Sequence, residues 1–153
     1  NNLILNPNYV YILNEILTST TNSAFIDYNS PTALSIANKL TSKYALKTGT
    51  TDTDYWTVGY NKNLLMVMWT GYDNNDNLAI SVGADSKNIW ADIVERISTI
   101  KNYTDTWYSK PVNVVGLPLN AIDGTPTTDA SKINMFYFLK GSEPYYDFVL
   151  DAN

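Results

Sequence analysis

Apolar and polar positions run along this chain with two different periods. In residues 8–20, "NYVYILNEILTST", Val10, Leu13, Ile16 and Leu17 recur at the spacing that places side chains on one face of a helix. Pro7, just ahead, suits a helix start. "AFIDYNS" has the texture of a loop. In "SPTALSIANKL", Ser30 is placed to cap a second, short helix and Pro31 to fill its first position, with Leu34, Ala37 and Leu40 along one side and an end near Ser42. From residue 44 the period becomes that of strands. Residues 44–51 and 55–60 read as two strands around a turn at Asp52 to Asp54, and a tight "NKN" leads into a third over 64–72. That third run, apolar from Leu64 to Trp69, reads as a strand covered on both faces. Three successive strands with short turns predict an antiparallel meander. "DNNDN" is an exposed turn. Ser86 is the predicted N-cap of a third helix, "KNIWADIVERISTIK", with Ile89, Trp90, Ile93, Ile97 and Ile100 as its apolar stripe.

After Lys101 the texture changes. "NYTDTWYSKPVNVVGLPLNAIDGTPTTDASK" carries prolines, glycines and small polar residues with short extended pieces, and "INMFYFLKGSEP" is a last strand-like segment. Residues 104–153 therefore read as a tail or small appendage to residues 1–103, not as a second globular domain. The fold class expected is α+β, an antiparallel sheet flanked by helices. A chain of 153 residues that is 44% hydrophobic has enough for a core. Its net charge of −5 argues against nucleic acid or an anionic membrane held by bulk electrostatics, so no nucleic-acid partner is expected. Without cysteine there are no disulfides, thiolate metal sites or cysteine nucleophile. Without histidine, Ser-His-Asp catalysis and most zinc or iron sites are excluded. No apolar stretch is long enough to span a membrane and no signal peptide is visible. The start at Asn1 rather than Met reads as a mature or excised piece.

"ALKTGTT", Ala45 to Thr51, breaks the pattern of a buried strand by placing Lys47, Thr48, Gly49 and Thr50 in a row. A strand lysine ordinarily points to solvent, and threonine is a good strand former in its own right. On a pleated strand, however, Lys47 and Gly49 share one face and Thr48 and Thr50 the other, and an interior glycine marks close approach by a ligand or another backbone. An ammonium, two hydroxyls and free backbone N–H groups along one strand can grip a carboxylate and an oxyanion.

The surroundings sharpen this. "ALKTGTTDTDYWTVGYNKNLLMVMWTGYDNN" resembles the end of the transpeptidase domain of bifunctional (class A) penicillin-binding proteins. There a Lys-Thr-Gly-Thr strand is followed by a Trp-x-Val-Gly-Tyr strand and a Trp-x-Gly-Tyr-Asp strand, here Trp56 to Tyr60 and Trp69 to Asp73. "SKNIWADIVERI" is similar to the family's C-terminal helix, "SKPVNVVGLPLNAIDGTPTTDASK…FYFLKGSEP" to the tail beyond it, and "NYVYILNEIL" to the helix before the motif strand. Leu46 stands where the family commonly has glycine, and Thr57 where an aromatic residue is more usual. The family's chemistry needs a Ser-x-x-Lys nucleophile and a Ser-x-Asn partner, both ahead of the Lys-Thr-Gly strand. Neither precedes Lys47. Ser86-Lys87-Asn88 and the "STIK" of Ser98 to Lys101 match those patterns in the wrong order, and read instead as a helix cap and a last-turn cation.

The resemblance implies a penicillin-binding transpeptidase/β-lactamase-like fold, present as a partial domain: 1–103 would be the C-terminal portion of the transpeptidase domain. The parent would be a serine-type D-Ala-D-Ala transpeptidase, with this chain alone inactive. Lys47 and Thr50 are the implied catalytic residues, Lys47 through its charge and Thr50 through a backbone N–H of the oxyanion hole. Thr48, Gly49 and Thr50 are the implied substrate-binding residues, the hydroxyls for the terminal carboxylate and Gly49 for close passage of the peptide. Implied partners are the peptidoglycan stem peptide, β-lactam antibiotics and the missing N-terminal half of the same domain, with no metal or cofactor. The site of action would be the outer face of the cytoplasmic membrane, with the anchor absent from this chain. The rival reading is a non-catalytic wall- or glycan-binding module. Asp52 and Asp54 read as turn residues rather than paired catalytic carboxylates, and Trp56, Trp69 and Trp90 as core rather than a sugar-stacking platform. Trp107 and Tyr108 are expected to be exposed in the tail, and Glu15 and Glu95 on solvated helix faces. Asn102-Tyr103-Thr104 fits a glycosylation acceptor that carries little meaning without a secretory context.

Overall fold

The Asn6 side chain accepts a hydrogen bond from the Asn8 amide and Pro7 takes the first helical position, so α1 (Pro7–Thr18) starts with its orphan donors satisfied. The computed structural model describes residues 4–145. The buried side of α1 is Tyr11 and Asn14, whereas Leu13 and Ile16 of the predicted stripe are exposed. Both buried residues have polar tips with partners: Asn14 Oδ1 accepts from the Tyr60 hydroxyl at 2.8 Å. Residues 34–39 form a 3₁₀ helix, Leu34–Lys39, preceded by Ala33 with no side-chain cap, so Ser30 does not cap it. Its three-residue repeat buries Ala33 and Ile36, which differ from the positions a 3.6-residue period selects.

Three strands follow: β1 (Ala45–Thr50), β2 (Asp54–Tyr60) and β3 (Leu65–Gly71), antiparallel and in the order β1-β2-β3. One face, with Leu46, Thr57, Gly59, Met66 and Met68, lies under α2 (Ile80–Lys101). The other is covered by α1 where Ala45 is buried and the Tyr60 hydroxyl reaches Asn14, but is open along β3, where Leu65 and Val67 are 65% and 53% exposed. The run 64–72 is therefore not covered on both faces among the described residues; its side chains alternate between core and surface as those of an ordinary strand do.

Helix α2 begins at Ile80, so Ser86 is not its cap but a buried interior residue that accepts a hydrogen bond from the Thr70 hydroxyl at 3.0 Å. The face turned to the sheet is Gly83, Ser86, Trp90, Ala91, Val94 and Ser98. Of the predicted apolar stripe only Trp90 is in the core, while Ile89, Ile93 and Ile100 are exposed. Small residues set this packing. A Cβ on Gly83 would lie 2.6 Å from the Tyr55 ring, so the helix can approach the sheet only because none is there. Trp90 fills the remaining space, its indole N–H bonded to the Met66 carbonyl at 3.1 Å and its ring edge-on to Tyr44 at 5.4 Å. Asn102, in the left-handed region at φ 52°, ends the helix.

The tail forms a second antiparallel sheet, β4 (Val114–Asn120) with β5 (Ile133–Leu139). It packs on the N-terminal helical segment through Tyr137 against Tyr11 (5.4 Å), Phe136 against Phe25 (6.2 Å) and a 2.9 Å bond from Asn22 to Asn134. Trp107 and Tyr108 are half-buried, contrary to expectation: Trp107 donates to Glu15 at 2.8 Å and Tyr108 to the Asn61 carbonyl at 2.9 Å. Glu15 is correspondingly not solvated. Its side chain is 6% exposed and also pairs with Lys43. Glu95 is half-buried too, taking the Thr41 hydroxyl at 2.5 Å. The architecture is α+β, with antiparallel sheets and flanking helices.

Candidate functional site at the open edge of the motif strand

Strand β1 pairs with β2 alone among the described residues, so its other side is a free edge. Which backbone groups face that edge follows from the turns. The Thr51 N–H bonds to the Asp54 carbonyl at 2.9 Å, and the Asn61 N–H to the Leu64 carbonyl at 2.9 Å. Backbone groups alternate in direction along an antiparallel strand. Counting back from Thr51, Gly49 and Lys47 bond inward to Trp56 and Val58, their register partners. Thr48 and Thr50 aim their N–H and C=O groups outward. The Thr48 carbonyl is already used on that side, accepting from Lys47 Nζ at 2.5 Å.

The pleat divides the side chains. Lys47 and Gly49 share the open face with Trp56, and Lys47 is exposed. A Cβ on Gly49 would meet the Trp56 side chain, with Trp56 Cβ nearest at 3.4 Å, an ordinary contact. Nothing in this fold therefore demands a glycine there, in contrast to Gly59, where a Cβ would lie 2.3 Å from Trp90. Thr48 and Thr50 line a cleft of about 720 Å³ that runs from the strand edge to the first turns of α2. Thr48 donates its hydroxyl to Thr32 at 2.9 Å, and Lys87 donates to the Thr32 carbonyl at 2.8 Å. The sequence marks neither Thr32 nor Lys87 as part of this site. Thr32 carries no signal in its loop, and Lys87 is visible only inside the misordered Ser-Lys-Asn.

On the open face, Trp56 and Trp69 are 44% and 43% exposed, with ring centroids 6.4 Å apart, and so are not core; of the three tryptophans read that way, Trp90 alone is. The Trp69 indole donates to Asp54 Oδ1 at 2.6 Å. That bond first, and the Thr53 hydroxyl next, hold the Asp54 carboxyl below its ordinary range. Asp52 stays in the turn, where its carbonyl accepts from the Leu78 N–H at 2.9 Å. The misordered serines are both buried on α2: Ser86 is held by Thr70, and Ser98 shares a 3.1 Å hydrogen bond with the Tyr44 hydroxyl. Among the described residues no three His, Cys, Asp or Glu side chains gather as a metal site.

No family model matches the chain. It is similar to penicillin-binding protein 2D of Bacillus subtilis (strain 168), 32% identical over 143 residues. The match takes in 92% of this chain but 20% of the relative, so the chain spans about a fifth of that protein's length. By this similarity the chain is a relative of a penicillin-binding protein.

Proposed function

We propose that this chain supplies the Lys-Thr-Gly-Thr strand of a class A peptidoglycan DD-transpeptidase whose nucleophilic serine lies on residues outside it. Residues 1–103 are then the C-terminal portion of the transpeptidase domain, in its penicillin-binding/β-lactamase-like fold, and 104–153 its appendage. In the complete protein, the serine oxygen attacks the penultimate D-Ala carbonyl of a stem peptide. The Thr50 N–H donates to the oxyanion that forms, and Lys47 stabilises the negative charge and eases proton transfer from the serine. The Thr50 hydroxyl, joined by that of Thr48 as it turns from Thr32, holds the terminal carboxylate while the peptide passes Gly49. D-Ala departs with a proton, and an amine from a neighbouring stem peptide resolves the acyl-enzyme. A β-lactam is opened by the same serine and stays attached. The reaction takes place outside the cytoplasmic membrane.

The observation that carries this reading is the free β1 edge, with the Thr50 N–H directed outward and Lys47 exposed beside it. The test is acylation of the full-length protein by a fluorescent penicillin. Lys47→Ala should slow it about a hundredfold or more; an unchanged rate contradicts the reading. The exposed Trp56–Trp69 pair favours a second reading, a wall- or glycan-binding module. Retention on peptidoglycan sacculi with no β-lactam adduct in the full-length protein would favour it.

A further inference from the structure

We propose that Asp54 is a positioning residue for the Thr50 amide, a role that rests on the reading of β1 given above. As an edge strand, β1 has one partner to hold its end, and Thr50 is its last residue. An oxyanion donor must sit within a few tenths of an ångström of its working position, and a 1 Å error can cost about a hundredfold in rate. Something must therefore stop this end from fraying.

Asp54 ties it down from three directions. Its carbonyl accepts from the Thr51 N–H at 2.9 Å and its own N–H donates to the Thr51 hydroxyl at 2.9 Å, locking the residue that follows Thr50. Its carboxylate accepts from Thr53 at 3.0 Å, which rigidifies the turn. The same carboxylate reaches across the sheet to the Trp69 indole on β3, at 2.6 Å. The tip of β1 is thus fastened to the strand two places away, not only to its neighbour. Gly71 makes that reach possible, because a Cβ there would lie 2.3 Å from the Trp69 ring. Asp54 itself has no part in the chemistry. Its effect passes through Thr51 to Thr50.

The experiment uses the full-length protein and separates the acylation rate constant for a β-lactam from the dissociation constant of the complex that precedes it. Asp54→Ala should lower the rate constant about ten- to hundredfold, leave the dissociation constant little changed and hardly move the melting temperature. Asp54→Asn keeps an oxygen acceptor for Trp69 and should recover most of the loss. Lys47→Ala serves as the control. If Lys47→Ala is impaired while Asp54→Ala acylates as the wild type does, the positioning role is overturned and the reading of β1 stands. An Asp54→Ala loss that tracks the melting temperature and is not rescued by Asn would overturn it as well, leaving a stabilising turn residue. If Lys47→Ala is itself unimpaired, the reading of β1 falls and this role falls with it.

Discussion

Gly59 lies against the Trp90 indole so closely that a Cβ would sit 2.3 Å from Cζ2 and 2.6 Å from Cη2. The ring is fully buried and rigid, fixed by its bond to Met66 and its contact with Tyr44. It cannot give way. Gly59→Ala should therefore destabilise the protein by about 2–3 kcal/mol through overpacking, read as a lowered urea midpoint with an unchanged slope. A neutral Gly59→Ala would show that the helix can slide on the sheet.

Gly49 predicts the opposite pattern. Its open face and 3.4 Å contact with Trp56 leave room for a side chain. Gly49→Val should keep stability within about 1 kcal/mol of wild type yet abolish acylation of the full-length protein, because the β-branched side chain would occupy the path that the proposed function gives the peptide. Unchanged acylation would show that nothing approaches this backbone.

The two glycines show what a sequence can and cannot reveal. The strands, their order and the unusual Lys47 to Thr50 stretch are legible because period, turn residues and a local motif are all properties of neighbours in the chain. The helix faces were not. A search for large apolar residues selects Ile89, Ile93 and Ile100, but the sheet lies so close that α2 meets it with Gly83, Ser86 and Ala91. Glu15 and Trp107 escape a sequence reading for a related reason: each is polar or amphipathic alone, and their burial follows from finding each other 92 positions apart. Thr32 and Lys87 reach the motif cleft only through the tertiary fold.

Glu15 should accordingly matter for stability. Its nearly buried carboxylate pairs with Lys43 and accepts from Trp107, while Lys43 also sits 4.7 Å from the Trp107 ring centroid. Glu15→Ala leaves the half-buried indole N–H without its acceptor and should cost about 1–2 kcal/mol, while Lys43, 41% exposed, remains solvated. Thermal denaturation checks it, and a change in Trp107 fluorescence should accompany the loss.

The Asp54 carboxyl supplies a pH dependence. Its folded value lies below the ordinary 3.8, chiefly through the Trp69 hydrogen bond. A depressed carboxyl contributes stability that is complete above the unfolded value and is lost as pH falls through the folded one. Trp69 emission should therefore hold steady on acidification down to the ordinary aspartate range and change only below it. Asp54→Asn should remove that acid step. A step above the ordinary range would contradict the bond.

The open face and free edge of the first sheet bear most directly on the central claim. Trp56, Leu65, Val67 and Trp69 expose a contiguous apolar surface beside Lys47 and Gly49, and a sheet so uncovered should self-associate or bind what covers it. The decisive measurement is intact-mass analysis with a β-lactam on this chain, on the rest of the proposed transpeptidase domain and on the two mixed. The account predicts a stoichiometric adduct only in the mixture, carried by the other piece and depressed by orders of magnitude by Lys47→Ala. An adduct on this chain alone, at Ser86 or Ser98, or a stable complex that takes up no β-lactam, would contradict it.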